Sequence, residues 1–98
     1  MRLELRYIEK VTPNHDGPAW IGWVTFNASR RTVYYRDLTL HRIYRGGIIG
    51  NHRDPTTGDE YWVSGVKRNG EDRHWVGGGP VRIDEDARDE YRQIRGAR

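Results

Sequence analysis

The chain has 98 residues, 35% of them hydrophobic and 11% aromatic, which suffices for one thin core built on large rings and excludes a second domain with a core of its own. The absence of cysteine excludes disulfides, thiolate chemistry and Cys-ligated zinc, and no apolar run is long enough for a signal or membrane-spanning segment, so a soluble protein of the reducing cytoplasm is expected. Seventeen basic residues against fourteen acidic ones, a net charge of +3, are a weak pull towards polyanions.

The first predicted strand covers residues 2–11, with Leu3, Leu5 and Tyr7 on one side, Arg2, Glu4 and Arg6 on the other, and a change of inward side at Tyr7-Ile8 that suits a bulge or a strand end. TPNHDGP, residues 12–18, is a loop of turn formers. Residues 19–27 form a second strand, expected at the centre of the sheet, with Trp20, Gly22, Val24 and Phe26 on one face and Ile21, Trp23 and Thr25 on the other. Residues 31–36, RTVYYR, make a third, which pairs with the second.

Residues 38–45 and 48–53 flank Gly46-Gly47, a dipeptide that tolerates positive φ. A two-residue turn there sets Tyr44 opposite Ile49, Ile43 opposite Gly50 and His41 opposite His52, and DPTTGD, residues 54–59, makes the next turn. Glu60 to Val76 reads as a hairpin across Asn69-Gly70, in which Arg68 faces Glu71 and Lys67 faces Asp72 as opposite-charge pairs. Tyr61 and Val63 point one way and Trp62, Ser64 and Val66 the other, so both faces are expected to be covered. Gly77-Gly78-Gly79-Pro80 breaks regular structure, after which the period changes from two to 3.6: Ala87, Tyr91 and Ile94 form one apolar stripe, Asp84 is the expected N-cap and Gly96 the stop. The predicted fold is mainly β, a strongly bent antiparallel sheet or SH3-like barrel of six to seven strands over about residues 2–83, closed by one C-terminal helix over about 84–95.

The segments Gly17-Pro18-Ala19-Trp20-Ile21-Gly22, Arg31-Thr32-Val33-Tyr34-Tyr35, Tyr61-Trp62-Val63-Ser64-Gly65 and Asn69-Gly70-Glu71-Asp72-Arg73-His74-Trp75 resemble those of a family of small bacterial proteins of under about a hundred residues with no established activity. The resemblance runs from about Leu5 to Ile94. It implies a single-domain cytoplasmic protein and supplies no catalytic residues.

The chemistry-bearing pattern is arginine interleaved with aromatics. Between Ala28 and Arg53, six arginines stand against Asp37. Fifteen of the seventeen basic residues are arginine, the better fork for phosphate, although a GC-rich genome produces the same excess. Arg31, Tyr34, Arg36, Arg42, Tyr44, Asn51 and Arg53 are the candidate binding residues: Tyr34 and Arg36 on one side of their strand, and Arg42, Tyr44, Asn51 and Arg53 on one face of the Gly46-Gly47 hairpin. Such a surface suits single-stranded nucleic acid, without a cofactor. The alternatives are a protein partner, including a homodimer through an edge strand, and a small enzyme or metal-binding protein using His41 and His52, with Asp54 nearby, or the pair Asp72 and His74.

Overall fold

The computed structural model describes residues 2–13, 16–44, 50–67 and 81–96. Six strands follow one another round a barrel: β1 (Glu4–Lys10), β2 (Ala19–Phe26), β3 (Thr32–Tyr35), β4 (Leu38–Arg42), β5 (His52–Arg53) and β6 (Glu60–Gly65). Each is antiparallel to the next, and β1 pairs with both β2 and β6, so the meander closes on itself. Closure satisfies the ladder groups that an open sheet of such short strands would leave at its edges. A seventh strand, β7 (Val81–Ile83), runs parallel to the start of β2, and a 3-10 turn (Glu85–Ala87) leads into the helix α1 (Arg88–Gly96). The small β barrel with a C-terminal helix is therefore the fold that the alternation and turn chemistry predict. The Asn69-Gly70 hairpin, with Asp72 and His74, the Gly46-Gly47 turn and the glycines at 77–79 lie outside the described residues.

Alternation sorts the apolar residues into two layers. The barrel interior holds Ile8, Val24, Val33, Tyr35, Leu40, Tyr61 and Val63, with Trp20, Phe26 and Leu38 against them. The outer face of β1, β2 and β6 carries Leu5, Tyr7, Ala19 and Ile21, and α1 covers it with Tyr91 and Ile94 while Trp23 and Trp62 fill the space between. Trp23 Nε1 donates to the Asp86 carbonyl at 2.9 Å, tying the 3-10 turn to β2.

Two layers explain why Tyr7, Ile8 and Glu9 are all buried. Neither the bulge nor the strand end expected at Tyr7-Ile8 is present: β1 keeps one register against β2 from Glu4↔Val24 to Glu9↔Ala19. The change of side marks a strand covered on both faces.

A second departure concerns Asp84. It stands at the N-cap position but makes no side-chain cap hydrogen bond. Its carboxylate instead turns towards the seam where β3 and β7 both lie along β2. There Oδ2 accepts from the Tyr35 hydroxyl at 2.7 Å and Oδ1 from Arg36. Gly22 leaves the room. A Cβ on it would fall on Asp84 Oδ2 and 2.7 Å from Tyr35 Cε1.

Candidate nucleic-acid interface

The pairing of β4 with β5 decides which predicted side chains can act together. Arg42 lies opposite His52 and His41 opposite Arg53, one residue out of register from a two-residue Gly46-Gly47 turn. A slip of one exchanges faces. Burial sets the register, because Leu40 and His52, at 0% and 3% exposure, must both point inward, and that requires Arg42 opposite His52.

Three corrections follow. His41 is exposed on the outer wall while His52 is buried, so the two cannot share a metal ion. Asp54 does not join them either, since its Oδ1 accepts the Thr56 N–H at 2.8 Å within its own turn. Among the described residues no group of three or more His, Cys, Asp or Glu could hold a metal. Finally, Arg42 and Arg53 do not share a face. Arg53 lies on the outer wall beside His41 and 3.5 Å from Glu60, while Arg42 follows the inward row of Leu38 and Leu40 out to the barrel end.

Asn51 and Arg36 turn out to hold the fold together. The Asn51 side chain behaves like a strand backbone: Nδ2 donates to the Val63 carbonyl and Oδ1 accepts the Val63 N–H, both at 2.8 Å. With the amide oriented by those bonds, Oδ1 also faces His52 Nδ1 at 2.8 Å, so Nδ1 carries the proton and donates. Burial, with Arg42 adding positive charge, pushes the His52 pKa down to about 4. Arg36 is not a strand residue on the side of Tyr34. It sits in the β3–β4 turn at φ +52, a left-handed conformation uncommon outside glycine and asparagine, and its guanidinium pairs with Asp84.

The remaining candidates gather at one end of the barrel, where β2 and β4 finish and β1 and β3 begin. The Arg42 N–H donates to the Arg31 carbonyl, which places those two exposed side chains across one ladder rung. The Arg42 guanidinium lies 5.8 Å from the centre of the Tyr44 ring, and Tyr44 is 73% exposed. Tyr34, 38% exposed, stands on the outer wall just below.

Sequence reasoning missed the other half of this mouth. Asn27 Oδ1 accepts the N–H groups of Arg31 and Thr32 at 3.0 Å, closing the β2–β3 turn with Arg30 at φ +60. That conformation lays the Arg30 guanidinium 4.1 Å from the Phe26 ring centre, and Arg6 approaches the same ring at 5.6 Å. Glu4 bridges the two cations, at 2.6 Å from Arg6 and 2.8 Å from Arg30. The hydrogen bond from Arg30 holds the Glu4 carboxyl below the usual range. Beside them a cleft of about 680 Å³ opens, with Arg2, Trp23 and Glu90 among its walls. The signal was present in the alternation of Glu4 and Arg6 on the side that faces Phe26, but it becomes legible only with the long-range register of β1 on β2.

No protein-family model, curated protein or solved structure matches the chain.

Proposed function

We propose that the protein is a non-catalytic module that binds single-stranded nucleic acid at the basic mouth of the barrel. The observation that carries this reading is the convergence of Arg6, Arg30, Arg31 and Arg42 on one barrel end, with exposed Tyr44 beside Arg42 and Phe26 beneath Arg30. Guanidinium forks suit phosphates, and an exposed tyrosine offers a π-face to bases of any identity. The reading treats the meander as SH3-like, a short-stranded barrel that works through its rim, because the interior is filled by Ile8, Val24, Val33 and Leu40, each 0% exposed. It sets the protein in the cytoplasm, on the absence of cysteine, and keeps kinship with the small bacterial proteins of no established activity as part of the proposal. Among the described residues no helix is long and apolar enough to cross a membrane. Anisotropy of a labelled oligonucleotide, titrated at two salt concentrations, tests the reading.

One observation favours a second reading, a protein partner or a homodimer. Among the described residues β7 alone has a single neighbouring strand, which leaves it as the edge for strand addition. Sedimentation at a mass above 11.5 kDa would favour it.

A further inference from the structure

A different surface carries a second cluster of cations. Arg88, Arg92 and Arg95 on α1 border a groove of about 640 Å³ against β7 whose floor is formed by Val81, Ile83 and Tyr91, while Arg82, the partner of Trp20 in the β2–β7 register, leaves β7 on the other face. On the helix the three arginines recur at i, i+4 and i+7, one stripe spread over roughly 10 Å of axis. That stripe lies next to the apolar stripe that anchors α1, so packing against the barrel aims it into the groove. Glu90 and Ile94 of the same helix line the mouth cleft instead, and α1 separates the two sites.

The three helix guanidiniums are poorly neutralised. Arg92 has Asp89 at 3.9 Å, with both side chains more than three-quarters exposed, a contact too long and too wet to hold the charge. Arg95 donates to the Tyr91 hydroxyl at 3.3 Å, which is neutral. The Arg88 guanidinium has no acceptor among the described residues. A single carboxylate or phosphate occupies one or two guanidinium forks; three forks along a groove suit a chain of phosphoryl groups. The apolar floor and the tyrosine suit a ring attached to that chain, and the groove has the size of a small-molecule site.

We infer that the groove between β7 and α1 binds an oligophosphate of the nucleoside di- or triphosphate class, with the phosphates on Arg88, Arg92 and Arg95 and the organic part over Val81, Ile83 and Tyr91. No bond is made or broken.

The test is calorimetric titration of the full chain with sodium tripolyphosphate, ATP and adenosine at one fixed ionic strength. Tripolyphosphate and ATP are expected to bind, ATP more tightly, and adenosine not to bind measurably. Arg88→Gln with Arg92→Gln should weaken both by about tenfold per guanidinium lost, without altering the melting temperature of the free protein, since both side chains are exposed. Arg95→Gln is a second, independent variant at the other end of the stripe and should weaken binding likewise. Equal affinity in wild type and variants overturns the inference, as does adenosine binding as well as ATP. Loss of oligonucleotide binding in the Arg88/Arg92 variant also overturns it, because the groove would then be part of a nucleic-acid footprint. The mouth proposal fails separately, through an Arg42→Gln variant that binds oligonucleotide normally.

Discussion

The Tyr35 hydroxyl donates to Asp84 Oδ2 at 2.7 Å across 49 residues of sequence, joining the end of β3 to the end of β7 over Gly22. Burial, and then the Asp84 carboxylate, push the Tyr35 pKa far above that of a free phenol, so the bond persists through the alkaline range. Asp84→Ala leaves the buried hydroxyl without an acceptor and should lower unfolding free energy by about 2–3 kcal/mol. Tyr35→Phe leaves Asp84 its Arg36 partner and should lower it by about 1–2 kcal/mol. Gly22→Ala, by overpacking, should cost about 1–3 kcal/mol. Urea denaturation of the three variants checks the order, and an unchanged Asp84→Ala midpoint would refute the clasp.

His52 makes stability depend on pH. Its folded-state pKa near 4 lies below the unfolded value of 6.5, so between these values the unfolded chain binds the extra proton. Stability is therefore full above about pH 6.5 and falls as pH drops towards 4, by up to about 3 kcal/mol. The prediction is that the urea midpoint declines over that interval and that His52→Gln flattens the decline. Identical pH profiles for the two proteins would remove His52 as the cause.

Asn51, immediately before β5, should be the most sensitive polar position of this stretch. Asn51→Ala strips Val63 of both partners and His52 of its acceptor, and is expected to destabilise by about 2–4 kcal/mol. Asn51→Asp restores the acceptor but not the donor, so it should not rescue. Hydrogen exchange at the Val63 amide reads the loss locally, and protection retained in Asn51→Ala would contradict this account.

Glu4 competes with any phosphate for Arg6 and Arg30. Glu4→Gln should tighten oligonucleotide binding severalfold and steepen the log-log salt slope by up to roughly 1. Weaker binding in Glu4→Gln would mean that the carboxylate positions the two cations rather than screening them.

Period-two alternation and turn chemistry made the barrel legible: Trp20, Val24 and Phe26 face in, Ile21 and Trp23 face out, and Gly58 leaves its turn at φ +81. What misled was local chemistry outvoted by distant packing. Gly46-Gly47 suggests a two-residue turn, but inward burial of Leu40 and His52 moves the register by one and parts Arg42 from Arg53. Asp84 reads as a helix cap because nothing near it in sequence announces Tyr35 and Arg36. The binding residues divide in the same way. Arg31, Arg42 and Tyr44 were legible as basic and aromatic neighbours, whereas Arg6 and Arg30 meet only through Phe26 and Glu4, on strands brought together by closure. The i, i+4, i+7 spacing of Arg88, Arg92 and Arg95 was open to reading on a predicted helix, although the apolar Val81 and Ile83 that face it required the parallel placement of β7.

The central claim, a basic mouth that binds single strands, is tested most directly by anisotropy titration of a labelled oligonucleotide across a salt series. Wild type should give a log-log slope of about −2 to −3, as expected for three to four phosphates contacted on a single strand. Arg31→Ala with Arg42→Ala should make that slope shallower by more than 1 unit and weaken binding at least tenfold. An affinity insensitive to salt, or a double variant that binds as wild type does, would contradict it.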